Sequence, residues 1–498
     1  MSGPPEWAGK STGEEKAHPA TKGSELPTDP FLVHFDFPHD PSNPRDWSLG
    51  RKWIVTSVLS VTGLIRITVS TIMAPALPQI SKDLNMNSVE SLMALSVYLL
   101  ATAFGPLLIG PLSEMYGRSP ILHSTNIWFL IWNLVCGFAN TKGTLIASRL
   151  LAGLGASAIY SLGNGVLGDI WPPEQRGRSI GLYMLIPLLG AAIGPIVGGI
   201  IAGRTSWRWI FWETSIVQAF AVVFCLVAFR ETHTQTILNE KAKALCRSTG
   251  DDRYHARLSD LERQQTFWSA LGMHLTRPFR LLIFHPIVQI QAMVSGYNYG
   301  LLYLILATYS SFWTDHYHET VSYSGLHYLS VCVGEITGSQ IGGFLMDFAS
   351  KALRKKHSAT SQDSGAEYHI PLMAPAYLLT AVGLLLGGWS AQHLLPWPVV
   401  DVGFLIASFG NTIAGQVITA YVIDAYPNHV ASASAGAQLI RSLTAFGFPL
   451  FAPAMFRKLG YGWSYTILDA SGLLIGLPAT AALWWHGARL RKKAAGSY

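Results

Sequence analysis

Apolar runs of about 20 residues, the length a helix needs to cross a bilayer core, recur along almost the whole chain. This feature excludes most folds, because a long helix with no charged face has nothing to offer water. Charged residues occupy only 13% of the 498 positions, against roughly 25% in an average soluble domain. The chain therefore reads as an all-α membrane protein. Spans are predicted near 53–75, 91–111, 121–140, 143–168, 179–202 and 209–229, and again near 286–312, 322–346, 371–392, 398–424, 434–456 and 463–486. The implied organisation is a disordered N-terminal tail (1–50), a six-helix bundle (51–230), a polar central loop (231–284), a second six-helix bundle (285–487) and a short C-terminal tail (488–498).

The first fifty or so residues carry no apolar core with a cleavage site, so the first apolar helix is expected to target the chain. Lys and Arg set the orientation. Arg51, Lys52, Arg118, Arg176, Arg178, the 351–356 cluster and the 489–493 tail share one side, which carries roughly twice the positive charge of the other. Both tails and the central loop are therefore expected in the cytoplasm. Cys136, Cys225, Cys246 and Cys332 lack metal or disulfide spacing and read as small hydrophobes. The net charge of +6 comes without a basic stripe interleaved with aromatics, which excludes nucleic-acid binding. No nucleophile–base pairing, metal-ligand cluster or phosphate loop stands out, and the 16 histidines are scattered. The expectation is a monomer in the lipid bilayer, with no enzymatic activity, cofactor or metal.

An internal repeat supports the division into halves. After the second span comes Gly110-Pro-Leu-Ser-Glu114-Met-Tyr-Gly-Arg118; after the eighth comes Gly343-Phe-Leu-Met-Asp347-Phe-Ala-Ser-Lys351. Both read glycine, three residues, acid, three residues, base. The glycine would let backbones approach, the acid could face a helix N-terminus and the base could pair across the loop. Duplicated halves with a site between them are a transporter plan.

The Gly110–Arg118 segment resembles the loop signature of the major facilitator superfamily, with Glu114 in place of an Asp and Met115 in place of an Arg. Arg149-Leu-Leu-Ala-Gly153-Leu-Gly155 looks like the family's fourth-span element, whose arginine is tied to proton coupling. In the fifth span, Gly181, Gly190, Gly194, Pro195, Gly198 and Gly199 match the antiporter signature of its drug:proton branch. Small residues there would let helices pack closely, and the proline would kink the helix. Asn43-Pro-Arg-Asp-Trp47, Trp207-Arg208-Trp209, Arg277-Pro-Phe-Arg280 and the last quarter from Ile423 extend the resemblance to fungal twelve-span drug:proton antiporters. The resemblance implies export of a drug or metabolite from a fungal cell across the plasma membrane in exchange for protons, by alternating access. An importer of the same fold, such as a nutrient or polyamine symporter, is the alternative; a membrane enzyme or a transporter-like sensor is a weaker rival.

Ionisable groups at membrane depth are functional candidates. Arg66 lies about 20 Å along its helix from Trp53 at 1.5 Å per residue, on one face with Thr62 and Ser70. It marks either a cavity that favours anionic or carbonyl-rich substrates or a structural pair with an acid on another helix. Glu335, among Gly334, Gly338 and Gly342, reads either as a site that takes up a proton as access changes or as the partner of Arg66. Gln289, Tyr297, Asn298 and Tyr303 in the seventh span, with Asn411 and Gln416 in the tenth, are expected to line the cavity.

Overall fold

The computed structural model describes residues 31–36, 39–256, 267–356, 366–426 and 430–495. In chain order the helices are α1 (Leu49–Thr71), α2 (Leu77–Asp83), α3 (Ser88–Tyr116), α4 (Arg118–Gly137), α5 (Lys142–Ala156), α6 (Ala158–Ile170), α7 (Pro173–Arg204) and α8 (Arg208–Ala228), followed by α9 (Thr234–Thr249) and α10 (Phe267–Phe284) in the central segment. The second half holds α11 (Pro286–Ser311), α12 (Val321–Leu326), α13 (Tyr328–Lys356), α14 (Met373–Gln392), α15 (Trp397–Ala425) and α16 (Val430–Ala495).

Among the described residues, eight stretches are long and apolar enough to cross a membrane. The last of them, Ala433–Arg491, bends at Gly460, where φ is 73°, and supplies two crossings. α4, α11 and α13 cross as well, although Asn126, Asn133, Gln291, Asn298 and Glu335 dilute their apolar runs. The result is twelve crossings in two groups of six. Each crossing reverses direction, so the Gly117 turn and the end of α8 share one face, the Arg118 face. The connections at 72–87, 138–141, 205–207, 312–320 and 393–396, with the Gly460 bend, share the far face.

Residues 39–50 depart from the disorder expected of the tail. Asp40 is buried and its carboxylate accepts hydrogen bonds from the Asp36 and Ser42 amides at 3.0 and 2.8 Å. Asn43 caps the following turn, and Ser48 caps α1. Residues 31–34 form a separate small unit with 238–256, in which Leu32–Val33 pairs in parallel with His255–Ala256.

α7 shows why its glycines stand where they do. Gly190, Gly194 and Gly198 recur every fourth residue and so share one face, which lies against α1. A β-carbon at Gly190 would sit 2.7 Å from the Leu64 carbonyl oxygen, and one at Gly194 2.7 Å from that of Thr68; at Gly198 it would collide with the Ile72 carbonyl. The neighbouring face of α7 carries Pro195 and Gly199 and receives α12 from the other half. There a β-carbon at Gly325 would lie 2.8 Å from the Pro195 carbonyl, and Ser322 Oγ donates to the Gly199 carbonyl at 3.4 Å. One helix thus holds its own half together and meets the other half at the far face. Gly181 lies on the same helix, and its packing falls outside the described residues. Because the Gly198 clash is with backbone, Gly198→Val should cost at least about 2 kcal/mol. It should lower the melting temperature of the purified protein, whereas the same change at Gly50, which faces open space, should not.

Candidate functional site

Three hydrogen bonds join the halves at depth. Thr102 on α3 meets Ser442 on α16 at 2.9 Å, Ser70 on α1 meets Tyr303 on α11 at 3.3 Å, and the hydroxyls of Tyr160 on α6 and Tyr299 on α11 lie 3.5 Å apart. Beside them, on the first half, lies a small cavity of about 10 Å³ lined by Arg66, Ser70, Tyr98, Thr102, Ile159 and Tyr160 among others. Arg441 on α16 stacks over Tyr299 with 4.4 Å between guanidinium and ring.

Arg66 is 2% exposed, so every unmet N–H on it is costly. Its Nη2 donates to Asn126 Oδ1 of α4 at 2.5 Å, while Nε and Nη1 find no partner among the described residues. No carboxylate among those residues comes within ion-pair distance, so the pairing with Glu335 raised by the sequence is absent. Glu335 on α13 is also buried, with no partner for Oε2 among the described residues. Thr62, on the same stripe as Arg66, bonds the Val58 carbonyl of its own helix.

Of the expected cavity residues, Tyr303 faces the other half. The rest point elsewhere. Gln289 is exposed and donates to the Ile283 carbonyl at 2.6 Å, closing the turn before α11. Tyr297 donates to the Leu468 carbonyl and meets Ser471 Oγ, fastening α11 to α16. Asn298 accepts from Tyr377 at 3.2 Å, and Asn411 donates to the Asn298 carbonyl at 3.2 Å. Gln416 donates to the Ser339 carbonyl and hydroxyl at 3.2 and 2.9 Å, tying α15 to α13. These four side chains hold the second half together instead of lining the pocket. A polar residue in a span satisfies itself on a neighbouring helix whenever one is in reach. Residues that line the cavity and were not singled out include Tyr98, Thr102 and Tyr160; Asn126 reaches it through Arg66, and Tyr299 with Arg441 through Tyr160. Asn126 had a legible signal: with Asn133 it places two amides a heptad apart on either side of the apolar run 127–132.

Residues 59–449 match the profile of the Major Facilitator Superfamily. The chain belongs to that superfamily. Among its curated relatives, "Probable efflux pump mfs2" of Aspergillus flavus is 51% identical over 86% of this chain and 100% of the relative. "Efflux pump vrtL" of Penicillium aethiopicum is 37% identical over 97% and 95%. Solved structures share the fold at low identity. The D-xylose-proton symporter superposes with a TM-score of 0.63 at 16% identity, covering 87% of this chain and 97% of that one. The human organic anion transporter MFSD10 gives 0.57 at 16%, covering 86% and 99%. The chain is thus a multi-pass membrane transporter of the superfamily.

The superfamily loop is built differently in its two copies. Arg118 is buried: Nε contacts Asp169 Oδ2 of α6 at 3.3 Å, and Nη1 donates to Ser113 at 2.6 Å. The acid at the N-terminus of α4 is Glu231, which follows the sixth crossing, and not Glu114, which is exposed. Glu231 accepts from the backbone amides of Arg118, Ser119, Thr232 and His233 at 2.8–3.0 Å. That is the charge preference of a helix start. Burial, and then the nearby Arg118 charge, hold the His233 imidazole below its usual value. In the second copy Asp347 and Lys351 are exposed, with no ion pair between them among the described residues. Neither loop glycine brings backbones together: a β-carbon at Gly110 would make an ordinary 3.9 Å contact with Ser161, and at Gly343 it would meet nothing. The close approach falls at Gly153 and along α7 instead.

Arg149 of α5 is fully buried. It donates to the carbonyls of Val69 at 2.9 Å and of Ala94 and Leu95 at 3.3 Å, and lies over the Tyr98 ring at 4.6 Å. It therefore ties α1, α3 and α5, and Tyr98 connects it to Arg66, whose carbonyl accepts from the Tyr98 hydroxyl at 2.9 Å.

Proposed function

We propose that this superfamily member exports a small, oxygen-rich organic molecule in exchange for protons, with the Arg118 face in the cytoplasm of a plasma-membrane transporter. The observation that carries the substrate class is that two guanidinium nitrogens of Arg66, Nε and Nη1, have no partner among the described residues at the cavity beside the interface of the halves. A guanidinium with two free donors favours a carboxylate, a phenolate or adjacent carbonyls over a cation. Tyr98, Tyr160 and Tyr299 add aromatic surface, and Arg441 adds a second positive charge on the other half. The names of the relatives support the outward direction. The cavity has room for little more than a single water, so the halves must part to admit a substrate. Rocking about the α7–α12 and α3–α16 contacts provides that motion. Glu335 is the buried acid that takes the proton, and Arg149 links the cavity wall to α1 and α3.

The test is efflux from energised cells expressing the protein, using fluorescent drugs and aromatic carboxylic acids with and without a protonophore. Protonophore-sensitive loss of an acidic compound is the expected result. Net accumulation would make the protein an importer, and retention of every compound would remove the export reading.

A further inference from the structure

Glu319 stands just before Thr320, the cap of α12, and the residue after α12 is His327, so the two flank a six-residue helix. Their side chains meet: His327 Nε2 lies 2.8 Å from Glu319 Oε2. The other ring nitrogen, Nδ1, lies 2.7 Å from Asp401 Oδ2 of α15, whose Oδ1 accepts from the Tyr309 hydroxyl of α11 at 2.8 Å. A neutral imidazole has one donor and one acceptor, and an ionised carboxylate only accepts. Two short contacts from one ring to two carboxylates therefore require a bound proton that the three groups share, either as imidazolium or on one carboxyl.

The surroundings favour a positive ring. Trp313 stacks flat on the imidazole, with centroids 3.6 Å apart and planes 11° apart, an arrangement that attracts a cation. The other groups facing the cluster are Tyr309 from α11, Tyr317 beside Trp313, and the Trp397 ring of α15 at 5.7 Å. No Lys or Arg among the described residues pairs with either carboxylate, and α7 brings glycine and proline rather than charge to α12. The side chains keep 10%, 14% and 25% exposure for His327, Asp401 and Glu319, so water at the far face reaches them.

We propose that Glu319, His327 and Asp401 form a proton-binding site at the far face, separate from the central cavity, whose occupancy staples the ends of α12 and keeps that helix seated on α7. With the proton bound, the ring donates to both carboxylates and the cluster carries one net negative charge. When the proton leaves to water, the ring donates to only one. The other carboxylate then faces a lone pair and a like charge, and Glu319, the more exposed and loop-borne partner, is released. α12 loses its closing contact, and the seat formed by Gly199, Gly325 and Pro195 opens. The site thus lets external protons govern contact between the halves. The inference rests on the export reading only in taking the far face as the outer one.

The experiment uses the full-length protein with Cys246→Ser in lipid nanodiscs. Spin labels go on Val89→Cys of α3 and Tyr323→Cys of α12, exposed far-face positions in opposite halves. Distances are measured by pulsed electron resonance at about pH 5 and about pH 8, either side of the histidine range. The expected result is a population of longer distances at least about threefold larger at the higher pH. His327→Gln and the double variant Glu319→Gln/Asp401→Asn should each lose that pH response while eluting and melting as folded protein. If His327→Gln does not fold, Glu319→Gln alone decides by the same criterion. A pH-insensitive distance in the unmodified cluster, or an undiminished response in the variants, would overturn the proposal. No substrate is needed, so failure here is distinct from failure of the efflux assay.

Discussion

Exchanging Arg66 for methionine is expected to weaken binding of a carboxylate-bearing substrate more than a hundredfold while leaving a neutral analogue within about tenfold. Losing one partner of a buried, hydrogen-bonded charge pair costs about 2–5 kcal/mol, and each 1.4 kcal/mol is about tenfold in affinity. The fold should tolerate the change. Arg66 has one side-chain acceptor, Asn126, and no counter-ion in reach among the described residues, so removing it leaves no orphaned carboxylate. A buried cation without an anion is itself unfavourable, and an apolar residue of similar length relieves that. Calorimetry with acidic and neutral ligands, beside a melting curve, separates the outcomes. Equal losses for both ligands with a lower melting temperature would make Arg66 a structural residue.

Glu335→Gln should abolish transport driven by a pH gradient while preserving exchange of substrate for substrate. Glutamine matches the shape and keeps hydrogen-bonding capacity but cannot carry the proton. Glu335 Oε2 has no partner among the described residues, so the substitution breaks no ion pair. A carboxylate left alone in an apolar interior is costly, and that cost forces its charge to follow water access as the halves rock. Counterflow and gradient-driven flux in proteoliposomes provide the two readings. Undiminished gradient-driven flux in the variant would take Glu335 out of the coupling.

The crossings were legible because each apolar run answers to one physical requirement, the bilayer thickness, and the α7 signature because glycine every fourth residue has one steric meaning. Site residues were harder to read. Gln416 and Arg66 look alike in sequence, as polar groups in apolar spans. Only the fold reveals that Gln416 finds Ser339 on the adjacent helix while Arg66 keeps two donors unmet. The acid at the α4 start could not be read from its own loop. Glu231 lies more than a hundred residues from Arg118 and reaches it only after six helices have packed. The His327 cluster shares this character: Glu319 is close in sequence, but Asp401 comes from two crossings later.

The Gly460 bend has a consequence for biosynthesis. The arms on either side of it remain helical up to the glycine itself, so only a few residues, led by the exposed Arg457 and Lys458, separate the last two apolar stretches. The insertion machinery therefore has very little chain to leave on the far side between them. Arg457 and Lys458 precede the bend on the side that the charge rule disfavours, so the first arm is poorly suited to entering lipid alone. The two arms are therefore expected to enter the membrane together as a hairpin, so a chain ended before Gly460 should integrate its last arm poorly, which a membrane-extraction assay would read.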